Sequence, residues 1–372
     1  MKNIKICLIS IAVPPDFQDG ASKTIKGIYD YLKRRGYKVT LLTGKWTNNL
    51  NDPDIIQFKF FRKRFFWYPQ FIIGIIKYLR THQFDIIHGN GPKGALPIIL
   101  SNKKRFITTI HDLGPFETRF TKIPFEKLLI KYVIKKTTII TTVTNFIKKE
   151  IGYFIPKSNP IKIYNHYNAI EEKFKPYPSK AQELKQKLNI KGPILLYIGR
   201  IAQYKGLDHI IEAYKIVKNT IPDVNLVIGG KPDFSMEKTY FEWKKKYRDI
   251  HFVGFISEEE IPYYYSMGDI FITYSYASEG FGLTPIESLA CGTPVICSSM
   301  LAYKEVLKDN AIFVPPKSPK LLAKEILRLL EDYDLRLKLV QEAKTFIKRY
   351  TYVAVGEKLE IIYQKFLKDN AN

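Results

Sequence analysis

Two carboxylates, Glu279 and Glu287, stand eight positions apart in the stretch EGFGLTPIE, around the glycines Gly280 and Gly282. Glycine admits positive φ and lets the backbone come close to a ligand, so this turn can present N–H groups as well as acids. An ionised carboxylate has about four lone-pair sites for hydrogen bonds, which suits a polyhydroxylated partner. For Glu287 a second reading stands beside this one. Thr284 as N-cap, Pro285 at the first helical position and Glu287 at the third would make a capping box. Glu279 lies ahead of that cap, in the turn itself. Earlier in the chain, YIGRIAQYKGLD ends an apolar run at Gly199, then sets Arg200 and Lys205 ahead of Gly206 and a helical pattern. Two cations between a strand exit and a helix entry make an anion site, because the first N–H groups of the helix and its positive dipole end add to them. Solvated loop residues are the plain alternative for this pair on its own. A basic pair for a diphosphate, joined to carboxylates for hydroxyls, describes a nucleotide-activated sugar.

The elements that must hold these loops follow from hydrophobic periodicity. Short apolar runs alternate with amphipathic stretches, the pattern of parallel α/β units. In the first half strands are expected near 4–11, 38–43, 55–60, 84–88, 105–110, 138–143 and 161–164, with helices near 21–35, 69–81, 94–100, 124–135 and 145–152. The polar segment NAIEEKFKPYPSKAQ, punctuated by Pro176 and Pro178, marks a break. A second series then runs through PILLYIG, VNLVIG, IHFVG, DIFITYS, PVICSS and AIFVPP. The expected domains are 1–178 and 179–351, with 352–372 returning to the first. Two doubly wound domains would place a ligand cleft at the carboxyl ends of their strands.

Composition narrows the function classes. The chain has 372 residues, three cysteines without metal-type or disulfide spacing, and six scattered histidines, so a reduced setting is expected and a zinc cluster is not. The basic, apolar opening MKNIKICLISIAVPP mimics a signal peptide, but no small-x-small cleavage pattern follows and a buried first strand suits it better. No apolar run approaches the length of a membrane span. The net charge of +23 is uneven: residues 1–178 hold 31 Lys/Arg against 12 Asp/Glu, and residues 179–372 hold 28 against 24. The front half therefore faces something anionic.

The two loops, their order and the segment ACGTPVI are similar to the donor-binding half of the retaining family 4 glycosyltransferases, which have the GT-B fold. The resemblance runs over nearly the whole chain, and it implies roles. Arg200 and Lys205, just past Gly199, would neutralise the donor diphosphate. Glu279 and Gly280 would meet the transferred sugar, and the N–H groups of Phe281, Gly282 and Leu283 would hold phosphate and sugar. Glu287 would accept the ribose hydroxyls, while Gly254 and Phe255 would frame the base. In the front half Gly20, in a pair reduced to Gly20-Ala21, would approach the diphosphate, and His111 would point at the donor sugar. Asp112 reads as a turn residue and Asn168 as structural. The implied reaction is transfer of a hexose with retention, by front-face attack of the acceptor hydroxyl. No metal or other cofactor is expected, because Arg200 and Lys205 would neutralise the leaving group.

Residues 58–80, FKFFRKRFFWYPQFIIGIIKYLR, interleave cations with aromatics. One reading is a core helix behind a solvated basic loop; its amphipathic face is expected to hold Ile72, Ile73, Ile76 and Leu79. The other is docking at an anionic membrane through Lys59, Arg62, Lys63, Arg64 and Trp67. That would suit a lipid-linked glycan or glycolipid acceptor and a cytoplasmic enzyme held at the inner membrane face. A nucleic-acid-binding protein is the competing class, since basic charge among aromatics also suits single strands. No helix-turn-helix, RRM or zinc pattern supports it. A donor-binding pseudoenzyme is the third possibility. A dinucleotide dehydrogenase is disfavoured, because PPDFQDG after the first strand is not the glycine fingerprint.

Overall fold

The apolar runs become parallel strands covered by helices, which is why they read as continuous hydrophobic segments rather than alternating ones. The computed structural model describes residues 3–63, 66–116, 124–154, 162–277 and 279–369. The chain divides into two units, Met1–Ala169 with Tyr350–Asn372, and Ile170–Arg349.

The first unit runs β1 (Lys5–Ile9), α1 (Gly20–Arg34), β2 (Lys38–Gly44), β3 (Ile55–Phe58), α2 (Trp67–Thr81), β4 (Ile86–Asn90), α3 (Gly91–Leu100), β5 (Ile107–Ile110), α4 (Pro124–Lys136), β6 (Ile139–Thr142), α5 (Asn145–Phe154) and β7 (Lys162–Asn165). Its sheet has the order β3-β2-β1-β4-β5-β6-β7, and every pairing is parallel. The second unit runs α6 (Pro178–Lys187), β8 (Ile194–Ile198), α7 (Leu207–Thr220), β9 (Asn225–Gly229), α8 (Glu237–Lys246), β10 (Ile250–Gly254), α9 (Ile261–Met267), β11 (Ile270–Thr273), α10 (Leu283–Ala290), β12 (Val295–Ser298), α11 (Leu301–Leu307), β13 (Ile312–Val314), α12 (Pro319–Glu331) and α13 (Tyr333–Phe346). Its order is β10-β9-β8-β11-β12-β13, again wholly parallel. In each sheet the strand order reverses beside the first strand, between β1 and β4 and between β8 and β11. Such switch points are where doubly wound sheets open crevices for ligands. Pro178, expected as part of a break, opens α6, where its missing N–H costs nothing.

The last helix, α14 (Tyr352–Lys368), belongs to the first unit and packs beside α1. Leu359, Ile362, Tyr363 and Phe366 join a core with Ile25, Ile28 and Leu32. A buried polar tie fixes its register: Glu360 accepts from Tyr31 Oη at 3.0 Å and from Arg35 Nε at 3.1 Å. At its far end Arg105 donates to the carbonyls of Phe366 and Asp369, two of the orphan acceptors of a helix C-terminus. On the opposite face of this sheet α2, α3 and α4 share a second core through Phe71, Ile75, Leu79, Ala95, Ile98, Leu129 and Val133. The buried face of α2 is thus Phe71, Ile75 and Leu79. Ile72 and Ile76 are half-buried and Ile73 is exposed, which corrects the expected face by about one position.

Glu360→Ala would leave a buried tyrosine hydroxyl and one side of Arg35 without their acceptor. Urea unfolding should show a loss of about 1–3 kcal/mol. Val353→Ala, at an exposed position of the same helix, should stay within about 0.5 kcal/mol of the parent.

Candidate functional site

In the second unit the loops after β8 and β11 meet because those strands are neighbours in the sheet. Three contacts stitch them. Tyr276 N–H donates to the Tyr204 carbonyl at 2.9 Å. A Cβ at Gly206 would run into the Tyr274 carbonyl, and Gly206 has φ +66°, so the approach needs glycine twice over. Lys205 Nζ donates to Glu279 Oε1 in an ion pair whose side chains are 21% and 9% exposed. The same Glu279 oxygen accepts from Ser275 Oγ at 2.8 Å. Ser275 Oγ lies 3.3 Å from Tyr303 Oη, which lies 3.0 Å from Thr273 Oγ1. The carboxylate is therefore held by a chain of hydroxyls running into the core.

Tyr204 gathers the two cations. Arg200 donates to its hydroxyl, and Arg200 Cζ and Lys205 Nζ sit 5.7 and 5.3 Å from its ring centroid. Arg200 itself is exposed. Both helices that start here are uncapped by side chains. Gly206 stands at the cap of α7 and Gly282 (φ +87°) at the cap of α10, and neither has a side chain to take up first-turn N–H groups. Such helix starts favour an anion. The Gly282 position also lies against the Tyr303 ring, where a Cβ would collide.

This start of α10 overturns the capping-box reading. The helix begins at Leu283 rather than Pro285, so Glu287 is its fifth residue and Thr284 is not the cap. Glu287 is buried, at 6% exposure, and accepts from Tyr265 Oη at 2.9 Å. Burial first, then the adjacent carboxylate, raises the Tyr265 pKa and keeps it a donor. Phe281 is buried and Leu283 half-buried. Gly199 leads out of β8, its N–H bonded to the Gly229 carbonyl at 3.1 Å. Gly254 has φ +74° at the end of β10, and Phe255 beyond it is exposed, with Lys231 Nζ 4.5 Å from its ring centroid.

In the first unit, Gly20 opens α1, but Asp19 caps that helix, accepting from Ala21 N at 3.1 Å and Ser22 N at 3.0 Å. A carboxylate thus already occupies the helix start where the sequence suggested a bare backbone approach. His111 follows β5, its Nε2 2.6 Å from Asn90 Oδ1. Asn90 Nδ2 faces Ser10 Oγ and the Ala21 carbonyl, so Asn90 Oδ1 must accept and His111 must carry its proton on Nε2. Its Nδ1 is then an acceptor, buried and without a partner. Asp112 accepts from Gly114 N at 3.0 Å, as a turn residue does.

Lys59, Arg62 and Lys63 are exposed, and Arg64 lies outside the described residues. Trp67 is no free anchor. It is half-buried, packed against Trp46, Phe60 and Tyr68 with ring centroids 5.0–5.8 Å apart. Two Asp-x-Asp spacings exist. Asp52 and Asp54 are both taken by Lys33, and Asp332 caps α13, accepting from Leu335 N. Among the described residues no three His, Cys, Asp or Glu side chains converge on a metal position, and no helix is long and apolar enough to cross a membrane. Sequence reasoning missed Tyr204, Tyr265, Tyr303, Ser275 and Asp19; only Asp19, placed before Gly-Ala-Ser, carried a local signal as a cap.

A family model described as glycosyl transferases group 1 matches residues 180–346, and one described as glycosyltransferase family 4 matches residues 18–169. Among curated proteins, alpha-monoglucosyldiacylglycerol synthase of Acholeplasma laidlawii is 24% identical over 94% of each chain. In fold the chain is similar to sucrose-phosphate synthase from Thermosynechococcus elongatus, with a TM-score of 0.82 and 20% identity over 99% of this chain and 100% of that one. It is similar also to Anabaena HepE solved with UDP-glucose, with a TM-score of 0.80 and 17% identity over 98% and 100%.

Three histidines of the first unit, His88 and His166 buried and His111 half-buried, generate a pH signature. Burial first, then neighbouring histidine charge, lowers His88 to about 3 and His111 to about 4. Burial likewise lowers His166 to about 4. The unfolded chain takes up these protons near pH 6.5 while the fold refuses them, so stability is full above that pH and is lost as pH falls toward 4. At pH 5.5 each histidine should already have cost about 1.4 kcal/mol. Urea titrations between pH 7 and 5 should show this fall, and His88→Asn should reduce its slope.

Proposed function

The chain belongs to the family 4 glycosyltransferases, enzymes of the GT-B fold, and from that premise we propose that it moves a hexose from a UDP- or GDP-sugar to an acceptor hydroxyl with retention. The observation that carries the donor reading is the Lys205–Glu279 pair set between two uncapped helix starts. One spot then offers cation, carboxylate and N–H donors, the three groups that a diphosphate flanked by sugar hydroxyls needs. The diphosphate takes Arg200, Lys205 and the N–H groups of Phe281, Gly282 and Leu283. Glu279, released from or shared with Lys205, accepts sugar hydroxyls. Glu287 accepts from ribose beside Tyr265, while Gly254 and Phe255 line the base. In the first unit His111, with an open Nδ1, is the group able to accept from a hydroxyl.

As the anomeric C–O bond to the diphosphate lengthens, negative charge collects on the leaving oxygens and positive charge on the anomeric carbon. Fixed cations and N–H groups stabilise the former without reorganising, the largest electrostatic contribution such a site can supply. The acceptor oxygen forms the new bond on the face that the leaving group vacates, and its proton passes to a leaving phosphate oxygen. No metal is required in this scheme. The acceptor is a lipid-linked glycan or a glycolipid, and the enzyme works at the cytoplasmic face of a membrane. The basic loop around Lys59, Arg62 and Lys63 supports this, and a similar protein is named as a synthase of a glucosylated diacylglycerol.

A panel of UDP-, GDP- and ADP-sugars scored by thermal shift should pick out one base, with about 2.7 kcal/mol of stabilisation at a hundred times Kd. If no sugar nucleotide shifts the melt and a single-stranded oligonucleotide does, the nucleic-acid reading replaces this one. With the donor known, Lys205→Ala should lower turnover about a hundredfold or more, with a far smaller change in the urea midpoint. Turnover near the parent's would remove Lys205 from the reaction.

A further inference from the structure

Helix α4 has two apolar faces, and the fold uses one. Leu129, Ile130, Val133 and Ile134 are buried. Phe125, Leu128 and Tyr132, at i, i+3 and i+7, form a stripe that is 64%, 64% and 43% exposed. Lys131, Lys135 and Lys136 are exposed around it. Helices α2 and α3 cover the same side of the sheet. They expose Ile73 and Leu100, at 52% and 47%. Lys and Arg number two on α2, one on α3 and four on α4, against a single acid, Glu126, which Lys93 meets at 3.3 Å.

We propose that this face, centred on the α4 stripe, docks on an anionic lipid bilayer. Phe125, Leu128 and Tyr132 enter the headgroup region while the surrounding lysines meet lipid phosphates. Charge complementarity selects this occupant. A second copy of the chain would set one cationic face against another. A nucleic acid would meet the cations but leave Leu128, Ile73 and Leu100, which cannot stack on bases, exposed as before. The proposal deepens the membrane-borne acceptor reading and rests on it for its purpose, but the surface is distinct from the loop at 59–63, and its test reads binding rather than turnover.

The test is vesicle flotation. The full chain should float with vesicles containing phosphatidylglycerol, less so in high salt, and stay behind with phosphatidylcholine alone. Leu128→Asp/Tyr132→Asp changes only exposed positions. It should keep the parent's circular dichroism and its thermal shift with the donor sugar, yet bind anionic vesicles at least about tenfold more weakly. Lys131→Glu/Lys135→Glu should remove much of the salt-sensitive part. Equal flotation of the stripe variant, or no flotation of the parent, overturns the proposal. So does a parent dimer in sedimentation that the stripe variant dissolves without changing flotation, for then a second copy covers the stripe. A missing donor shift with intact lipid binding would instead sink the transferase reading and leave the surface standing.

Discussion

The ion pair between Lys205 and Glu279 is the interaction on which the second unit's working edge depends. Its partners are 74 positions apart, and they meet because β8 and β11 are adjacent and parallel, so both chains leave the sheet at the same edge. Left-handed glycines at 206 and 282 turn each chain at once into a helix. Those turns leave two helix starts uncapped, and an anion is the natural cap for both. The hydroxyls of Ser275, Tyr303 and Thr273 then keep the carboxylate in place. Fold topology, turn chemistry and charge converge on one edge, where a cation, a carboxylate and two helix starts lie together.

The first unit is arranged differently. Asp19 fills the start of α1, and its polar interior is built from neutral histidines. His88 is held at both ring nitrogens by Tyr363 and Thr109. His111 is held at one and open at the other. Desolvation lowers the pKa of both rings, so near neutral pH they act as uncharged hydrogen-bonding groups, while the cations are left outside. That division gives the unit an uncharged acceptor at one strand end and a strongly basic outer layer of helices.

Much of this was legible from the chain. Parallel strands announce themselves as apolar runs, and the glycine turns with their cations and acids are local patterns. The start of α10 was not legible, because Thr284-Pro285 makes a good helix opening by itself. A left-handed glycine two positions earlier opened the helix first, which took Glu287 out of any cap and down against Tyr265. Tyr204, Tyr265 and Tyr303 escaped notice for another reason: their partners are set by tertiary packing and have no period. Trp67 looked like a surface anchor among cations, yet Trp46 and Phe60 half-bury it. On α4 the inner and outer apolar stripes overlap in sequence, so periodicity alone could not say that one would stay exposed.

The central claim is that a diphosphate docks where Lys205 now holds Glu279. A crystal structure of the chain soaked with the sugar nucleotide that raises its melting point tests this most directly. The account predicts phosphate oxygens within hydrogen-bond distance of Arg200, Lys205 and the N–H groups at the start of α10, with the Glu279 carboxylate turned to the sugar. A nucleotide bound elsewhere, with the Lys205–Glu279 pair untouched and Arg200 still on Tyr204, would contradict it.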